Sequence, residues 1–92
     1  METEEEKVIG EECIRQWGVN SQIGIAIEEC SELITELAKY GREVNGSTDI
    51  SICDEIADVE IMMKQLRLIF SPEIIDDRKE LKLHRLKQRL EI

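Results

Sequence analysis

Apolar residues recur along this chain at helical rather than strand spacing, in four blocks separated by short polar breaks. In residues 3–17, Val8, Ile9, Cys13, Ile14 and Trp17 form one stripe, and the acids at the start suit the positive end of a helix dipole. Gly18 is the expected stop. A second helix is expected from a cap at Asn20 or Ser21 to about residue 40, with Ile23, Ala26, Ile27, Cys30, Ile34 and Leu37 on one face. Gly41 then opens a polar connector through Asn45, Gly46 and Ser47. Thr48 or Asp49 can cap a third helix over 50–70, striped by Ile52, Ile56, Val59, Met63, Leu66 and Phe70. Ser71, Pro72 and Glu73 make a strong fourth start. That helix runs to about residue 90 and carries a thin line of Ile75, Leu83, Leu86 and Leu90, which predicts packing at an edge.

One Pro, five Gly and three aromatics agree with helices alone. The pattern predicts an all-α, four-helix, bundle-like fold in one domain spanning 1–92. A chain of this length removes only ~60–65% of its unfolded surface from water, so completion by a partner subunit is expected. No membrane-length apolar run is present, and the expected location is the cytoplasm. Cys13, Cys30 and Cys53 are odd in number and lack zinc-type spacing, and each reads as a small core residue.

The formal charge of -9 argues against a nucleic-acid polymer as partner. Its distribution says more. Residues 1–77 hold 19 acids against 6 bases, whereas 78–92 hold 6 bases against 2 acids. A basic last helix in so acidic a chain is suited to pair with the chain's own acids or with a small anion.

The acids themselves fall into two echoing groups. Glu29 and Glu32 stand three apart on the second helix, with Glu28 beside them, and Glu55 and Asp58 stand three apart on the third. An acid cluster is usually a solvated face. Glu55 and Asp58, however, project beside Met62 and Ile69 on the flank of an apolar stripe, where unpaired anions are costly unless a cation compensates them. Oxygen ligands without histidine suit magnesium, with manganese as the alternative, and the only histidine, His84, lies on the basic helix, away from any di-iron pattern. Magnesium bridges readily to phosphates, and Lys82 and Arg85 on the last helix have the reach to meet an anion held near the acids. At ~1.5 Å per residue the two acid pairs differ in height by several ångströms, an offset that the connector 41–48 has to absorb.

The runs Glu28, Glu29, Cys30, Ser31, Glu32, Leu33 and Asp54, Glu55, Ile56, Ala57, Asp58, Val59, in that order on consecutive helices, resemble the all-α nucleoside triphosphate pyrophosphohydrolases of the MazG type, particularly short, phage-like single-domain members. The likeness extends from Gln16, Trp17 and Gly18 through the basic helix. It implies a dimer or dimer of dimers that hydrolyses a nucleoside triphosphate to the monophosphate and pyrophosphate with magnesium. Glu29, Glu32, Glu55 and Asp58 fall on the family's metal-binding acids, Lys82 and Arg85 on its phosphate contacts, and Trp17 and Gln22 on positions near the base. Glu28 or Glu32 would take the proton from the attacking water. Lys79 stands where the family often has Asn, a departure that bears on sugar and base preference rather than on metal binding. Two other readings fit the same pattern: a non-enzymatic helical adaptor joined through its apolar stripes, and a regulator that binds a nucleotide without turning it over. Trp17 likewise reads either as a core or interface aromatic or as a stacking platform.

Overall fold

Gly18 is the first joint of the fold. Its φ of 88° is a left-handed conformation open to glycine at little cost, and its N–H donates to Ile14 O at 2.8 Å while its carbonyl accepts from Gln22 N–H at 3.1 Å. One residue thus closes α1 (Thr3–Trp17) and opens α2 (Val19–Arg42). Asn20 and Ser21, expected as caps, lie inside the first turn of α2, because the Gly18 carbonyl already begins its ladder. The computed structural model describes residues 3–42 and 48–92. The expected connector residues Asn45, Gly46 and Ser47 lie outside them.

The remaining ends follow the sequence closely. Thr48 caps α3 (Asp49–Phe70) in a reciprocal box: Ser51 N–H donates to Thr48 Oγ1 at 3.1 Å, and Thr48 N–H donates to Ser51 Oγ at 3.0 Å. Ser71 alone separates α3 from α4 (Pro72–Leu90), its hydroxyl accepting from Ile74 N–H at 3.1 Å with Pro72 in the first turn. The chain is all-α, with four helices and no strand among the described residues.

Helix α3 is the centre, packed against α2 along its length and against α1. The face it turns inward is not the stripe that periodicity marks. Met62 and Gln65 are buried on α3, and Gln22 and Ala26 on α2, whereas Ile27 and Ile34 are each 67% exposed and Phe70 65%. The inward lines therefore run through Gln22, Ala26 and Glu29 on α2 and through Glu55, Met62 and Gln65 on α3, each rotated by about a side chain's width from the apolar stripe. At the heart of the packing, Gln22 Nε2 donates to Gln65 Oε1 at 2.7 Å.

Gly10 is the buried point of α1. A Cβ there would stand 3.0 Å from Leu68 Cδ1 and 3.4 Å from Gln65 Cγ, so this glycine lets α1 lie close on α3. Gly10→Val should lower stability by about 1–3 kcal/mol through overpacking, measured as a lower urea midpoint at unchanged slope.

Helix α4 touches only α3 among the described helices. Arg67 Nη1 donates to Asp76 Oδ1 at 2.6 Å across the Ser71 turn, and every position from residue 76 onward is exposed. The expected edge packing of Leu83, Leu86 and Leu90 is absent among the described residues. With one residue between the helices, α4 departs from the end of α3 at once, and its outer turns meet no other element among the described residues.

Candidate metal centre

Three of the four predicted ligands meet. Glu29 and Glu32, one turn apart on α2, face Glu55 on α3, and one carboxylate oxygen of each lies within 4.8 Å of the other two. The difference in height expected between the two acid pairs does not keep these three carboxylates apart. Because Glu55 sits two turns before Met62 on the inward line of α3, packing of the two helices carries it toward α2.

The electrostatics of this cluster are unfavourable as it stands. Glu29 Oε2 and Glu55 Oε2 are shut off from solvent without a hydrogen-bond partner. Loss of hydration is the main cause that pushes both carboxyls above the ordinary range. The charges of Glu32 and Asp58 push both further. Asp58 thus lies close enough to act on the cluster, although its side chain is exposed and outside the 4.8 Å group.

Glu28 is exposed and acts least on Glu29. Glu36, which was not among the expected ligands, adds its charge to Glu55 and stands 3.9 Å from Lys39 Nζ. Its spacing from Glu29 and Glu32 was the available signal, since 29, 32 and 36 share one helix face.

The expected substrate contacts are dispersed. Trp17 is 59% exposed at the end of α1, and Gln22 is 2% exposed with its amide engaged by Gln65. Lys82, Arg85 and His84 are exposed on α4, which makes no contact with α2. Gln65, the partner that holds Gln22, was legible only as a lone amide in an apolar run. Cys13 and Cys30 are half-buried and free, but Cys53 is exposed, a correction to its expected core placement that follows from the inward rotation of α3.

The donor set fits a hard divalent cation. It offers carboxylate oxygens only, from two helices, with two of those oxygens buried and unpartnered, and a small cation would relieve both the desolvation and the mutual repulsion. No helix among the described residues is long and apolar enough to cross a membrane. No family model matches this chain, and neither a curated protein nor a solved structure matches it.

Proposed function

We propose that the chain is a magnesium-dependent nucleoside triphosphate pyrophosphohydrolase of the MazG type, assembled from two or four copies. The observation that carries the reading is the meeting of Glu29, Glu32 and Glu55 with two buried, unpartnered oxygens, because a bundle with no cation to hold would place apolar or neutral groups there. Glu29, Glu32 and Glu55 hold the ion, with Asp58 beside them. When bound, magnesium neutralises phosphate oxygens and lowers the pKa of water. Glu32, exposed at the mouth of the cluster, or Glu28 beside it accepts the proton from the attacking water. Lys82 and Arg85 lie far along a helix that does not reach α2 of its own chain, so their part in stabilising pyrophosphate requires α4 of another copy. Trp17, exposed, is available for base stacking, whereas Gln22 acts from below by fixing α2 against α3.

The test is release of inorganic pyrophosphate from a panel of ribo- and deoxyribonucleoside triphosphates with and without magnesium. Metal-dependent release of pyrophosphate is the expected result. Silence across the panel, with nucleotide and magnesium still raising the melting temperature, would replace the enzyme by a nucleotide-binding regulator. Silence without any such shift would leave the helical adaptor.

A further inference from the structure

The buried amides and the acid cluster are placed at matched intervals along the two helices that meet. Gln22 Nε2 donates to Gln65 Oε1 at 2.7 Å. Because α2 and α3 run antiparallel, residues at one level are found by counting forward along α2 and back along α3. Ten residues on from Gln22 is Glu32, and ten back from Gln65 is Glu55, two of the acids whose oxygens come within 4.8 Å. Seven residues from the same origin stand Glu29 and Asp58. The amide pair and the acids therefore share one register, with about 15 Å of helix between Gln22 and Glu32.

Little else holds that register. Ala26 and Met62 are the only buried apolar residues among those described, and an unbranched methionine adapts to more than one fit. If α2 slid by one turn toward either end, Gln65 would face Ala26 or Val19, and Gln22 would face Ile69 or Met62. Amides set against apolar side chains are costly when buried. The acids offer no such resistance, because Glu55 would then face Glu36 or Glu29. Acids alone do not fix the register, and the amides do.

Stability does not account for the pair. Gln22 and Gln65 are 2% and 3% exposed, and Gln22 Oε1 has no hydrogen-bond partner. Gly10 of α1 closes the position from the third side, since a Cβ there would stand 3.4 Å from Gln65 Cγ. A buried oxygen left empty costs more than a single amide bond returns, and two apolar side chains of the same shape would pack there without loss. In paired helices a lone buried polar contact fixes which residues meet, at the expense of stability.

We infer that Gln65 is a positioning residue of the metal centre: its hydrogen bond with Gln22 sets α2 on α3 in the register that brings Glu29 and Glu32 to Glu55. This role rests on the proposed cation site and gives it a support about ten residues along the helix from the nearest of its acids on α3 that meet α2.

Manganese alone is the probe, counted by the electron paramagnetic resonance signal of the free ion, so that no nucleotide contact enters the measurement. The paired variant Gln22→Met with Gln65→Met replaces both amides by unbranched apolar chains of similar length. It should melt at or above the temperature of the unaltered chain, while its manganese dissociation constant rises about 10–100-fold, the usual effect of losing a support behind a metal ligand. Gln22→Lys with Gln65→Glu keeps a donor at 22 and an acceptor at 65 and adds no net charge. That variant should melt lower, because a buried ion pair is a poor stabiliser, and yet keep the manganese affinity of the unaltered chain. Affinity then follows the hydrogen bond and not stability. Three results would overturn the positioning role and leave the cation site in place: a paired Gln22→Met, Gln65→Met variant that binds manganese as tightly as the unaltered chain, the same variant melting lower or failing to fold, or a folded Gln22→Lys, Gln65→Glu variant that has lost its affinity. An unaltered chain that binds no manganese at millimolar concentration would remove the cation site itself, and the role of Gln65 with it.

Discussion

Glu55→Gln should cut magnesium-dependent turnover by about 100-fold or more while raising the melting temperature of the metal-free protein. Loss of a residue that merely supports a ligand typically costs 10–100-fold, and Glu55 stands among the oxygens that would hold the ion itself. The amide keeps the volume of the side chain and removes a charge that is desolvated and faces Glu32 and Asp58. An uncompensated buried anion is destabilising, so its neutral isostere is the better packed residue. The two effects are opposite in sign, and that pairing is diagnostic. A variant that melts lower would show that the carboxylate was structurally satisfied, and one that turns over normally would remove Glu55 from the site. Circular dichroism and pyrophosphate release on the same preparations decide between them.

Mild acidification should stabilise the metal-free chain, and magnesium should flatten that dependence. Glu29 and Glu55 bind protons more tightly folded than unfolded, so the native state holds more protons between the ordinary value of 4.5 and their raised values. Stability then falls as pH rises through that window, and the favourable contribution is complete below 4.5. Glu12 works the other way. Arg15 and Gln16 hold its carboxyl down to about 2, so what it contributes is lost only as pH falls below 4.5. That pair is fully exposed and weak, and its window does not overlap the first. Melting curves followed as pH falls toward 4.5 should therefore climb in chelator, with a shallower climb in magnesium and in Glu55→Gln. Sodium chloride at matched ionic strength separates a bound ion from general screening of the net charge. An equally steep climb in magnesium would mean that the cluster holds no cation.

The helices were legible because their ends carry local chemistry. Ser71 with Pro72, Thr48 with Ser51, and Gly18 each act within a few residues, and sequence spacing reports such contacts directly. The acid motif was legible for a related reason: three residues apart on a helix means one face, whatever the fold around it. Helix orientation was not legible. A stripe such as Ile27, Ile34 and Leu37 states that a face is apolar but not which neighbour covers it, and here the chain's own α3 meets the adjoining line of Gln22, Ala26 and Glu29. The Gln22–Gln65 pair and the close approach at Gly10 depend on contacts between residues far apart in sequence, to which periodicity is blind. Lys82 and Arg85 are the sharpest case. Their helix was correctly bounded, yet it meets neither α1 nor α2, and neither capping nor periodicity reports what a helix packs against.

On the proposed function, the acids on the inward line of α2 and α3 place stability and activity in direct opposition. They occupy positions where leucine or methionine would join Ala26 and Met62 and enlarge a very small core. A laboratory selection that rewarded heat resistance alone would discard Glu29 and Glu55 first, and each round would deliver a sturdier bundle with nothing left to hold an ion. Thermostabilised variants of this protein are therefore best sought at the ends of its helices and along its outer faces, far from the acid cluster.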